Sequence, residues 1–127
     1  MTIALNHTIV WCRDPAASAA FAADILGLPA PRRFMHFHVV DLANGVSLDY
    51  AQSDAHSGVL HYAFLVTEAE FDAIFGRIKA RGLQHWADPA RKLAGQINTH
   101  FGGRGVYFED PGGHLLEIIT APYGETP

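Results

Sequence analysis

The sequence predicts an α+β fold of two tandem βαβββ modules, and three observations carry that prediction. Strand-forming and helix-forming stretches follow one another in the same order in both halves. His7 in L-N-H-T-I-V falls opposite His61 in V-L-H-Y-A-F, each on the first strand of its half. The segments N-G-V-S-L-D-Y and G-G-H-L-L-E-I overlay so that Asp49 stands opposite Glu117, as an internal repeat requires. Module one is expected over residues 1–53 and module two over 58–122, within one domain spanning 1–127.

In the first half, Ile3 to Cys12 alternates loosely, with β-branched residues and Trp11, and reads as a strand carrying His7. Asp14-Pro15 supplies an N-cap and a first helical position. An Ala-rich run through Phe21, Ile25 and Leu26 then has helical spacing until Gly27. Pro29 and Pro31 break the chain. Phe34 to Leu42 and Val46 to Ala51 read as strands joined at Asn44-Gly45, a hairpin signal, with a further short strand expected near Arg32.

In the second half, Val59 to Val66 reads as a strand carrying His61. Thr67 and Glu70 form a capping box, Phe71, Ile74, Phe75 and Ile78 give the helix an apolar stripe, and Gly82 stops it. His85 and Trp86 begin an edge or a loop. Asp88 to Gln96 is polar, suited to a lid or a mobile connection. Val106 to Phe108, the turn Asp110-Pro111-Gly112-Gly113, and Leu115 to Thr120 make a closing hairpin.

A formal charge of −4 over 127 residues leaves no basic footprint for nucleic acid or anionic lipid. Cys12 is the single cysteine, which excludes an internal disulfide and a thiolate metal cluster. The N-terminal stretch lacks the pattern of a signal peptide and no apolar run reaches membrane-spanning length, so a cytoplasmic protein with no membrane partner is expected.

Chemistry concentrates between Asn98 and Glu117. Glu117 lies between Leu116 and Ile118 in an apolar strand, where a carboxylate needs a partner. A metal ion is one such partner, and an ion pair with Arg104 or Arg13 is another. Eight histidines in so short a chain raise the expectation of a metal site. Two modules related by a pseudo-twofold would bring His7, His61, Glu117 and Asp49 towards one point. Arg104 in G-G-R-G reads as a clamp for a substrate carboxylate or as a solvated turn residue. His36, His38, His56, His85 and His114 read as surface or packing residues.

At these residues the chain resembles the vicinal oxygen chelate superfamily, which includes glyoxalase I, fosfomycin-resistance enzymes, bleomycin-resistance proteins and type I extradiol dioxygenases. The resemblance covers almost the whole chain. It implies paired modules forming a curved mixed sheet around a divalent metal, with His7, His61 and Glu117 as ligands, and a homodimer acting on a small-molecule substrate. Fe(II) is the favoured ion, with Mn, Ni, Zn or Mg as other options. His100, Tyr107, Asp110, Pro111, Gly113 and Glu117 match the extradiol signature of a His, six residues, a Tyr, an Asp-Pro-x-Gly turn and a Glu. By that resemblance His100 and Tyr107 are catalytic and contact substrate hydroxyls or an oxygen intermediate. Two histidines and one carboxylate leave open positions on Fe(II) for a catechol-like oxygen pair and O2.

The match has departures. Val46 stands where the large ring-cleaving enzymes place a catalytic His, and Ile118 to Pro127 lacks the basic residue of fosfomycin-resistance members. Asp49 occupies the strand position of a fourth ligand in glyoxalase-type isomerases. A fourth protein ligand would favour proton transfer on a chelated enediol, and its absence would favour O2 or a bidentate substrate. Extradiol-like dioxygenation is therefore the expected function. Glyoxalase-like isomerase or lyase chemistry is the alternative, followed by a non-catalytic resistance protein that sequesters a ligand.

Overall fold

The computed structural model describes residues 2–55 and 58–123; His56 lies outside them. The chain divides into two compact units, 1–58 and 59–127, each with its own four-stranded mixed sheet and one α-helix.

The first module runs β1 (His7–Cys12), α1 (Pro15–Leu26), β2 (Arg32–Phe34), β3 (Phe37–Asp41) and β4 (Ser47–Gln52). Its sheet order is β1-β4-β3-β2, with β1 parallel to β4 and the other pairs antiparallel. Asp14 caps α1 by accepting from the Ala17 amide at 3.0 Å, and Gly27 ends it in the left-handed conformation at φ 71°. The face of α1 that is buried is small: Ser18, Ala19, Ala22, Ala23 and Ile25. Small side chains let the helix lie close on β1, β3 and β4, whose Val10, Val40, Leu48 and Tyr50 share one buried face.

Two expected boundaries move. The first strand begins at His7 rather than Ile3, because Ile3 and Leu5 are exposed and lack the burial that would hold them. The stretch expected to run from Phe34 to Leu42 is split by a tight turn at Met35 and His36, which pairs Phe34 with Phe37 and makes β2. Asn44-Gly45 turns as expected, with Gly45 at φ 82° and the Leu42 amide donating to the Val46 carbonyl.

The second module runs β5 (His61–Leu65), α2 (Glu68–Ala80), β6 (His85–Trp86), β7 (Gly105–Glu109) and β8 (Leu115–Ile119). Its order is β5-β8-β7-β6, again with the outer pair β5 and β8 parallel. The capping box forms: Thr67 Oγ1 accepts from the Glu70 amide, and the Thr67 amide donates to the Glu70 carboxylate. Phe71, Ile74 and Ile78 are buried on α2. Phe75, expected in the same stripe, is half-buried, with Lys79 over its ring and His85 against its edge. The polar loop after β6 is tied down: Asp88 accepts from the Lys92 and Leu93 amides, and Arg91 pairs with Glu109. Those amides, Leu93 foremost, hold the Asp88 carboxyl below its usual range.

The duplication is exact in register. Ile9, two residues after His7, pairs with Asp49 on β4; Ala63, two residues after His61, pairs with Glu117 on β8. Each module thus places a histidine at the start of its first strand and an acid two positions along the parallel neighbour.

Candidate metal centre

Module two brings its histidine and its acid into contact. Residues 115–119 read Leu-Leu-Glu-Ile-Ile, and Glu117 is fully buried within that strand, between β5 on one side and β7 on the other. His61 reaches it from β5, with Nε2 3.0 Å from Glu117 Oε1. The second imidazole nitrogen, Nδ1, lies 3.1 Å from the Leu115 carbonyl and donates to it, since a carbonyl can only accept. Nε2 is therefore the nitrogen that carries a lone pair in the neutral ring. A lone pair beside a carboxylate oxygen makes two electron-pair donors of the kind that can hold a metal ion.

His7 in module one has the same tautomer by a different device. Its Nδ1 donates to the Asn6 side-chain oxygen at 2.7 Å, which again leaves Nε2 to present. Asp49, the counterpart of Glu117, is buried at 8 % exposure, and its Oδ1 accepts from the Ser47 hydroxyl at 2.7 Å. Among the described residues, no three His, Cys, Asp or Glu side chains stand together as a metal-holding group.

Tyr107 and Tyr123 complete the surroundings of Glu117. Tyr107 is directly opposite Glu117 across β7 and β8, and its ring stacks on His61 with centroids 5.9 Å apart. The Tyr123 hydroxyl donates to Glu117 Oε2, and the Tyr107 and Tyr123 hydroxyls are 2.8 Å apart. With the Tyr123 proton committed to the carboxylate, Tyr107 must donate to Tyr123. The result is a directed chain from Tyr107 through Tyr123 to Glu117. Burial, then the neighbouring Glu117, raises the ionisation range of both phenols.

Sequence reasoning missed Tyr123. Its only signal was an aromatic residue six positions after Glu117, and no periodicity links a residue beyond a strand end to a side chain within it.

The other expected residues fall variously. His100 lies exposed on a 3-10 turn, His100–Gly102, with its ring against Phe101; Phe101 in turn packs on Tyr123 at 5.6 Å. Arg104 is engaged by its own module: it pairs with Glu68 and Asp72 on α2 and lies 4.3 Å over the Phe71 ring. The alternative reading of Glu117 as an ion-pair partner of Arg104 is therefore not met; Glu117 contacts His61 instead. His114, expected at the surface or in packing, is fully packed at 2 % exposure and accepts the Leu60 amide on Nδ1.

Two four-stranded mixed sheets, each from one copy of a βαβββ unit with a histidine and an acid in register, define a duplicated-module α+β fold. The chain belongs to the Glyoxalase/Bleomycin resistance protein/Dioxygenase superfamily, whose model matches residues 4–118. The solved structure of the oxidase ChaP-H1 is 58 % identical, covers 97 % of this chain and 99 % of its own, and superposes with a TM-score of 0.95. The metallothiol transferase FosB of Shouchella clausii (strain KSM-K16) is 35 % identical over 86 residues, which span 66 % of this chain and 53 % of that relative. A FosX variant from Listeria monocytogenes, solved with Mn(II) and 1S,2S-dihydroxypropylphosphonic acid, shares the fold at a TM-score of 0.73 and 21 % identity, covering 97 % of this chain and 96 % of its own.

Proposed function

We propose that this protein is a metal-dependent, oxygen-using enzyme acting on a small substrate whose two neighbouring oxygens chelate the metal, in the manner of the extradiol dioxygenases. The observation that carries the reading is the pairing of His61 Nε2 with Glu117 Oε1, with Nδ1 already engaged, in a chain that resembles an oxidase over its full length. The proposed ligands are His7, His61 and Glu117, for a divalent ion with Fe(II) favoured, in a homodimer. When bound, the ion supplies Lewis acidity and open positions for a vicinal oxygen pair and for O2.

The protein's own groups have distinct parts. Leu115 and Asn6 fix the tautomers of His61 and His7. The engagement of Asp49 by Ser47 favours three protein ligands over four, and so favours oxygen chemistry over isomerisation. Tyr107 and Tyr123 keep their protons through the neutral range and serve as donors beside Glu117. His100, on its exposed turn, is the proposed acid or base at the rim.

The test is metal analysis of protein purified without chelators, followed by oxygen uptake with a panel of catechols and related vicinal hydroxy-ketones. Near-stoichiometric metal and substrate-dependent uptake support the reading. Metal without uptake on the iron-loaded protein overturns the oxygen chemistry. The FosB relative favours one second reading, thiol transfer to a small electrophile, detected as metal-dependent consumption of a thiol. Undiminished binding of a ligand by metal-free protein would instead identify a sequestering protein.

A further inference from the structure

The first strand of module two is held by an unusual lock. His114, in the turn that leads into β8, is buried, and its Nδ1 accepts the Leu60 amide at 3.0 Å. The Leu60 carbonyl accepts in turn from the Leu115 amide at 3.0 Å, and the next residue, His61, donates from its ring to the Leu115 carbonyl. Leu60 is thus gripped at both its amide and its carbonyl by consecutive residues, His114 and Leu115. The turn itself is braced: Asp110 Oδ1 accepts from the His114 amide at 2.9 Å, and the Asp110 amide donates to the His114 carbonyl.

Module one shows why the lock matters. There the Ser47 amide donates to the Asn6 carbonyl, matching Leu115 and Leu60, but Val46 stands in the place of His114. His7 does not depend on that register, because the neighbouring Asn6 side chain holds its Nδ1. Leu60 has no side-chain oxygen to do the same for His61. The His61 tautomer is set by a main-chain carbonyl on the neighbouring strand, so it holds only while β5 stays in register on β8.

We propose that His114 is a positioning residue for His61: by clamping the Leu60 amide it keeps the His61 ring on the Leu115 carbonyl, with Nε2 directed at Glu117. This role rests on the metal-site reading for its purpose, but not for its geometry.

The test compares the natural chain with His114→Phe, which fills the ring volume without an acceptor, and His114→Asn, whose side-chain oxygen restores one. In metal-free protein, nitrogen-15 shifts of the His61 ring should report a fixed Nδ1–H tautomer in the natural chain and in H114N, and an averaged ring in H114F. Titration with Mn(II) alone should show affinity about 10- to 100-fold weaker in H114F and largely recovered in H114N, the usual scale for outer partners of metal ligands. A fixed His61 ring in folded H114F overturns the proposal. So does rapid exchange of the Leu60 amide in the natural chain, which needs no variant and decides the matter if H114F does not fold. If the natural chain takes up no Mn(II), the metal reading fails on that result, while the ring shifts still decide the role of His114.

Discussion

His61 Nε2 and Glu117 Oε1 lie 3.0 Å apart on neighbouring parallel strands, and the other imidazole nitrogen is already bound to the Leu115 carbonyl. The carboxylate is fully buried in an apolar strand. Replacing it by Gln keeps its shape but removes the charge a cation needs. Glu117→Gln and His61→Ala should each weaken Mn(II) binding by at least about 100-fold, beyond the range seen for outer partners alone. Without metal, E117Q should melt at or above the temperature of the natural chain, because the Gln amide can accept from Tyr123 and donate to His61 Nε2 while burying no charge. Calorimetric titration and thermal melts check both halves.

Tyr107 and Tyr123 should both ionise above the ordinary tyrosine range. Both have ionisation ranges raised by burial and by Glu117, so the stability they contribute is fully present below the ordinary tyrosine range and is lost only as pH rises through the folded values. Alkaline titration followed near 295 nm should show a late component that Tyr107→Phe and Tyr123→Phe each reduce. In Tyr123→Phe the Tyr107 phenol should remain late, because burial is the largest cause of its raised range. Early titration of Tyr107 in that variant would contradict the assignment.

Asp110 has the opposite sense from a paired carboxylate. Burial raises its range, against the pull of the His114 amide and His114 itself, and among the described residues Oδ2 meets no hydrogen-bond partner. A raised carboxyl favours the fold below the unfolded value and loses that contribution as pH rises through the folded value. Asp110→Asn retains an acceptor for the His114 amide without titrating. Its stability relative to the natural chain should therefore rise between pH 4 and pH 7 in urea denaturation. A difference that stays constant or falls would show that the charge is compensated.

Gly103 should not tolerate a methyl group. A Cβ there would sit 2.6 Å from Thr120 Oγ1 and 2.9 Å from the Ala121 amide nitrogen. Backbone is one of the clashing partners, so the chain after β8 must shift. Gly103→Ala should cost about 1–3 kcal/mol, the usual range for overpacking. Chemical denaturation measures it directly.

Much of this was legible because the repeat is written in register. The pairing of Asp49 with Ile9 and of Glu117 with Ala63 follows from two aligned strings of residues, and it places each acid two positions beyond its histidine. Caps and turns were equally readable, since Asp14, Thr67 and Gly45 act through their own neighbours. What escaped was set by distant contacts. The β2 turn at Met35 carries no Gly or Pro, and its residue adopts φ 54° because Phe34 and Phe37 pair. Tyr123 acquires its role from where the chain goes after β8, and Arg104 is claimed by α2, 32 and 36 residues earlier in the sequence. His114 looked like a surface or packing residue because its partner is a main-chain amide 54 residues away.

That separation bears on how the protein comes together. His61 and Glu117 are 56 positions apart, and their parallel strands are joined across α2, β6 and β7. The chain must close this long loop before the two side chains can cooperate, so neither can recruit an ion early in folding. An ion bridging them would act mainly as a brake on the escape route, slowing the departure of β5 from β8 rather than hastening their meeting.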